Sequence, residues 1–146
     1  MNLEGSFFVP RPRAQVWALI NDPEVLRQAI PGCQTLEAVD DGYTATVTVS
    51  IGPVKAKFSG RVQLLDVQAP ESYRIAGEGN GGIAGFAKGG ANVRLQEQED
   101  GTVVHYAVDA SVGGKLAQLG GRLIESTSRK LSQQFFDRIS DIAAAA

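Results

Sequence analysis

From Cys33 to Ser111 the residue pattern repeats every second position, and this long run constrains the chain more than any other feature. Tyr43, Ala45, Val47, Val49 and Ile51 fall on one face of an extended segment, with Thr44, Thr46, Thr48 and Ser50 on the other. The next segment places Val54, Ala56, Phe58, Gly60, Val62 and Leu64 on one face, opposite Lys55, Lys57, Ser59, Arg61 and Gln63. Asp41-Gly42, Gly52-Pro53, Ala69-Pro70-Glu71 and Asp100-Gly101 punctuate the run where hairpin turns are needed. Tyr73 and Ile75 alternate with Arg74, a further strand is predicted from Ile83 to Glu97, and the last runs from Thr102 to Val112. Strands with one apolar and one polar face, joined by short turns, form an antiparallel sheet with a single buried side.

The flanks of this run are helical. Leu3 to Val9 reads as a first strand, stopped by Pro10-Arg11-Pro12, because proline supplies no ladder donor. Ala14 to Ile20 is predicted as a short helix, and a second starts at Asp22-Pro23-Glu24, an N-cap followed by proline at the first helical position. It stops at Pro31-Gly32. After Gly113-Gly114 the period returns to that of a helix: Leu116, Leu119, Leu123, Leu131, Phe135 and Ile139 form one stripe, flanked by Ile124, Phe136 and Ile142. Gly120-Gly121 marks a kink or a late start of that helix. The predicted fold class is α+β: a curved antiparallel sheet of about six to seven strands wrapped around a long C-terminal helix, with two short helices after the first strand. A chain of 146 residues with 43% hydrophobic content fits one such domain, residues 1–146.

Several functions are disfavoured by composition. A net charge of -2 argues against nucleic-acid binding. One cysteine, Cys33, forbids an internal disulfide and suits a reducing, cytoplasmic setting. One His and one Cys do not make the usual zinc ligand set. No signal peptide and no apolar run of about 18 residues are visible. Gly77-Glu78-Gly79-Asn80-Gly81-Gly82 matches a dinucleotide fingerprint in letters, but strands precede and follow it, where the fingerprint requires a helix. His105 and Asp109 lie four residues apart on one strand, roughly 13 Å, too far for a hydrogen-bonded dyad.

What remains is apolar. Trp17, Phe58, Ile75, Tyr106, Leu119, Leu123 and Phe135 occupy inward faces and are the candidate walls of a ligand cavity between sheet and helix. Gly60, Gly77 and Gly79 leave room where side chains would fill it. No catalytic residue and no metal ligand is assigned. Phe86, Lys88 and Lys115, in two glycine-rich stretches, are candidate partner-docking residues.

Certain segments are also familiar: Phe7-Phe8-Val9 with Val16-Trp17, Asp22-Pro23-Glu24, Ile30-Pro31-Gly32-Cys33, and Phe58-Ser59-Gly60. More specific are Ile51-Gly52-Pro53-Val54-Lys55-Ala56 and Gly113-Gly114-Lys115-Leu116-Ala117-Gln118-Leu119-Gly120. Over almost its whole length the chain resembles CoxG, the G-subunit family of carbon monoxide dehydrogenase, in the START-like helix-grip (SRPBCC) superfamily. The resemblance implies an accessory protein of a molybdenum hydroxylase such as CO dehydrogenase. It also implies recruitment to the inner membrane face and handling of a quinone or lipid-like ligand, with no tightly bound cofactor. Two alternatives stand beside it: a cyclase- or hydrolase-like enzyme of the same superfamily, and an interaction module with a closed core.

Overall fold

The computed structural model describes residues 1–146. Strand β1 (Asn2–Val9) leads to helices α1 (Arg13–Ile20) and α2 (Pro23–Ala29). Six strands follow: β2 (Cys33–Val39), β3 (Gly42–Ile51), β4 (Val54–Gln68), β5 (Ser72–Asn80), β6 (Phe86–Gln98) and β7 (Gly101–Gly113). Helix α3 (Gly121–Ala145) closes the chain. All seven strands make one antiparallel sheet in the order β1-β7-β6-β5-β4-β3-β2. Every neighbour is joined by a hairpin except β1, which returns to pair with β7. This is the helix-grip architecture the alternation and the final stripe predict.

Local chemistry sets most boundaries. Asp22 Oδ1 accepts the Glu24 amide at 2.9 Å, and Pro23 opens α2. Two boundaries differ from expectation. The segment predicted as strand from Ile83 opens with a 3-10 turn at Gly82–Ala84, because Asn80 Oδ1 accepts the Gly82 amide at 2.8 Å and Gly85 adopts φ 115°. The strand therefore starts at Phe86. The final helix starts late: Gly114–Leu119 is 3-10, Gly120 turns at φ 90°, and α-helix begins at Gly121. The leucine stripe is thus carried by two segments on either side of a glycine joint.

The largest buried cluster occupies one end of the molecule, while Ala84, Leu116 and Ile124 are buried at the other. Val9, Val16, Ile20, Ala29, Tyr73, Val93, Leu95, Val104, Ile139 and Ala143 form one cluster, which brings α1, α2 and the C-terminal part of α3 onto the sheet. Its one polar neighbour at zero exposure, Thr102, donates its hydroxyl to Arg11 O at 2.8 Å, so no buried hydroxyl is left unpaired there. Ser140 of α3 donates to Phe8 O, tying the same end of the helix to β1. Only 18 of 146 residues are buried, so this cluster does not extend along the sheet.

Candidate ligand-binding site

Beyond the core cluster, the inner face of the sheet is half exposed. Ala45 and Val47 of β3, Phe58 to Val62 alternately on β4, and Gly77, Gly79, Ala87, Gly89, Ala110 and Val112 all retain accessible surface, although they point to the side of α3. The register explains it. One transverse row runs Ala45, Gly60, Gly79, Ala87 and Val112. The next runs Tyr43, Val62, Gly77, Gly89 and Ala110. At the centre of the first row (Gly60, Gly79, Ala87) and of the second (Gly77, Gly89), no side chain extends past Cβ.

Helix α3 does not pack on the glycines of the first row. Its backbone approaches β1 and β3 most closely and stands off β4, β5 and β6. A Cβ placed on Gly79 would meet only Ser59 O at 3.8 Å and Phe58 Cβ at 4.0 Å, and one on Gly60 only Glu78 O at 3.2 Å and Gly79 Cα at 3.9 Å. No atom of α3 comes within 4 Å of either position. The helix therefore does not pack directly on these two glycines.

The inner face of the sheet carries little titratable chemistry. At inner positions from Tyr43 to Ile51, Val54 to Leu64, Tyr73 to Gly79, Ala87 to Leu95 and Val104 to Val112, the only titratable groups are the phenols of Tyr43, Tyr73 and Tyr106. Burial pushes the Tyr73 phenol far above its ordinary range, and burial also raises Tyr43, whose hydroxyl donates to Asn21 O at 2.7 Å. Burial thus favours the protonated form of both phenols. His105 and Asp109 lie on the opposite, polar face, where His105 Nε2 meets Gln96 Oε1 at 2.7 Å and Asp109 pairs with Arg74 at 3.3 Å. They take no part in the inner face. Nor do Asp, Glu, His and Cys side chains gather anywhere into a group that could hold a metal ion.

The sequence profile of the CoxG family, described as the G-subunit of carbon monoxide dehydrogenase, matches residues 5–144. The chain belongs to the CoxG family. A conserved protein from Geobacillus kaustophilus is 30% identical, with a TM-score of 0.93 over 99% of this chain and 96% of that one. A Rhizobium leguminosarum protein of 17% identity superposes with a TM-score of 0.73, covering 100% of this chain and 95% of its own. Ara h 8.0201, 18% identical, superposes at 0.65 over 100% of this chain and 99% of its own, which places the CoxG domain among START-like helix-grip folds. No protein of curated function matches the chain in sequence.

The seven residues assigned to the cavity wall of this CoxG domain do not form one contact set. Trp17, Ile75 and Phe135 pack against the core cluster, with Trp17 edge-on to Tyr73 at 5.0 Å. Tyr106 lies over Gly5 and against Phe136, 4.6 Å between ring centres. Phe58 reaches the far end, its ring 2.5 Å from where a Cβ on Gly81 would stand, and Leu123 lies 2.9 Å from the same point at Gly52. Leu119, half-buried, ends the 3-10 stretch beside it. Phe136 stacks on Phe7 at 4.2 Å and joins these walls, although its spacing marked it only as a flank of the stripe. Of the docking candidates, Phe86 and Lys88 line a 720 Å³ cleft on the outer face, with Arg61 and Glu78. Lys115 is exposed on the 3-10 stretch between β7 and α3.

Proposed function

We propose that this CoxG-family protein is a non-enzymatic carrier of a hydrophobic molecule, a quinone or a lipid of similar shape. The guest lies between the glycine rows and α3, and the protein serves as accessory to a CO dehydrogenase or related molybdenum hydroxylase. The observation that carries this reading is the in-register row Ala45, Gly60, Gly79 and Ala87, facing a helix that does not touch its glycines. An apolar space with phenol donors and no acid or base suits binding of a greasy body with a polar head, not bond cleavage. The family supplies the partner, and the quinone is the electron acceptor that such a partner needs. Phe86 and Lys88 in the outer cleft, and Lys115, are the proposed contacts to the oxidoreductase.

Menaquinone titration tests the carrier role. Trp17 is the sole tryptophan and lies on the floor of the space, so bound quinone is expected to quench its fluorescence. Ligand at 100 times its Kd raises stability by about 2.7 kcal/mol. Unchanged fluorescence together with an unchanged melting temperature refutes the proposal. Phe86→Ser with Lys88→Glu is expected to weaken capture of the partner enzyme while leaving the titration intact.

A further inference from the structure

The core cluster contains a buried hydroxyl that the protein leaves without a partner. Tyr73 is 6% exposed, and its ring meets Trp17 edge-on at 5.0 Å. The neighbouring buried hydroxyls are matched: Tyr43 donates to Asn21 O at 2.7 Å, and Thr102 to Arg11 O at 2.8 Å. The Tyr73 hydroxyl makes no hydrogen bond to a protein group, and Tyr43 is the one phenol of the three that does. Among side-chain nitrogens and oxygens, only Arg13 Nε is both fully enclosed and unpaired, so the unpaired Tyr73 oxygen borders open space. Taking a hydroxyl out of water without giving it an acceptor is unfavourable, and native interiors rarely leave one so.

The strand gives that oxygen a direction. Alternation along β5 puts Tyr73, Ile75, Gly77 and Gly79 on the same face. Tyr73 stands at the core end of the strand whose other end carries the bare glycines, roughly 13 Å from Gly77 at about 3.3 Å per residue. The third phenol, Tyr106, lies apart from it, against Gly5 at the β1 edge, with Val93 between the two in register. The inner positions of β3 to β7 carry no Lys, Arg or His. Burial and then the Asp22 carboxylate raise the Tyr43 phenol, and Tyr73, raised by burial, is raised further by Tyr43. The two phenols thus lie close enough to influence one another, in surroundings that disfavour negative charge.

We propose that Tyr73 is a specificity-determining residue: its hydroxyl donates to a neutral carbonyl oxygen on the head of the guest, whose chain runs from there along β5 over Gly77 and Gly79. This rests on the carrier reading and goes beyond it in fixing which end of the guest enters first and which heads are accepted. A carbonyl supplies the acceptor that the hydroxyl lacks. A carboxylate would also accept, but as a buried anion with no cation beside it, which is unfavourable. A hydrocarbon without a polar head leaves the hydroxyl unpaired.

The test is calorimetric titration of the native chain and of Tyr73→Phe with menaquinone, with phytane as a headless chain and with palmitate as a carboxylate. The native chain is expected to bind menaquinone at least about tenfold more tightly than palmitate, and Tyr73→Phe to weaken menaquinone about tenfold while leaving phytane unchanged. The carbonyl stretch of isotope-labelled menaquinone is expected at lower frequency in the native complex than in that of the variant. The variant keeps the ring on Trp17 and breaks no protein hydrogen bond, so the melting temperature of the free protein should not fall. A fall shows that the hydroxyl is already paired within the protein, and overturns the proposal. Undiminished menaquinone affinity, an unmoved carbonyl band, an equal loss for phytane, or palmitate bound as tightly as menaquinone overturns it too. If the native chain binds phytane or palmitate but not menaquinone, the carrier stands and the assignment of Tyr73 falls; if it binds none of the three, the carrier falls with it.

Discussion

Replacing Gly79 by leucine distinguishes an open inner face from a packed one through the sign of the stability change. Gly79 lies in a strand without a positive φ, and its Cβ would make ordinary contacts at 3.8 and 4.0 Å, so the backbone accepts a side chain. Glycine in a strand interior costs roughly 0.5–1 kcal/mol in conformational entropy relative to alanine, and a branched apolar residue packs better on a pleated surface. With space above it, Gly79→Leu is expected to stabilise the fold by about 1 kcal/mol, a rise of about 3 °C in Tm. In a filled interior the same change would be overpacking and would destabilise by about 1–3 kcal/mol. The leucine also occupies the space assigned to the guest, so menaquinone affinity should fall at least about tenfold, or 1.4 kcal/mol. Urea unfolding with the slope monitored, followed by Trp17 quenching on the same sample, reads both. A loss of stability with unchanged slope refutes the open interior, and a gain of stability with undiminished ligand affinity refutes the location of the site. Gly42→Ala is the control: its Cβ would run into the Val62 carbonyl oxygen, and it should destabilise by about 2 kcal/mol or more.

Three further outcomes follow from packing and charge. Ile139 has no exposed surface, and Ile139→Ala should cost about 2–5 kcal/mol in denaturant unfolding. Hydrogen bonds from Arg27 and Gln28 hold the Glu24 carboxyl below its ordinary 4.5, at about 2. Its stabilising effect is therefore present above pH 4.5 and lost as the pH falls toward 2, and Glu24→Gln should flatten the acid limb of a Tm-against-pH curve. Burial raises the Tyr73 phenol, so its contribution is present below the ordinary tyrosine value of about 10 and is lost as pH rises above it. Tyr73→Phe should make alkaline unfolding less steep, followed by the tyrosinate absorbance.

Much of this was legible in the sequence. The alternation from Tyr43 to Ile51 predicts which residues face inward, and Asp22-Pro23 predicts where α2 starts, because both depend on local chemistry. The 3-10 turn at Gly82–Ala84 was not, since it is held by the Asn80 side chain where a strand is predicted, and the break at Gly120 was legible only in part, since apolar spacing is nearly the same in an α-helix and a 3-10 turn. The proposed cavity was half legible. Glycines at alternate positions of β4 and β5 are visible one strand at a time, yet only register brings Gly60 beside Gly79. Trp17, Ile75 and Phe135 point inward just as Phe58 does, and no local pattern separates a residue on the floor from one on the wall. That distinction depends on tertiary packing, which a single strand or helix does not reveal.

Those ends are secured unequally. Ile139 and Ala143 sit in the core and Ser140 bonds to β1, whereas the first turn begins at Gly120 and Gly121, with no side-chain cap and nothing within 4 Å of either Cβ position. The helix is thus held more heavily at its C-terminal end, with buried Ile124 as the anchor of its opening turn. Amide protons of its opening turn should exchange with solvent long before those around Ile139.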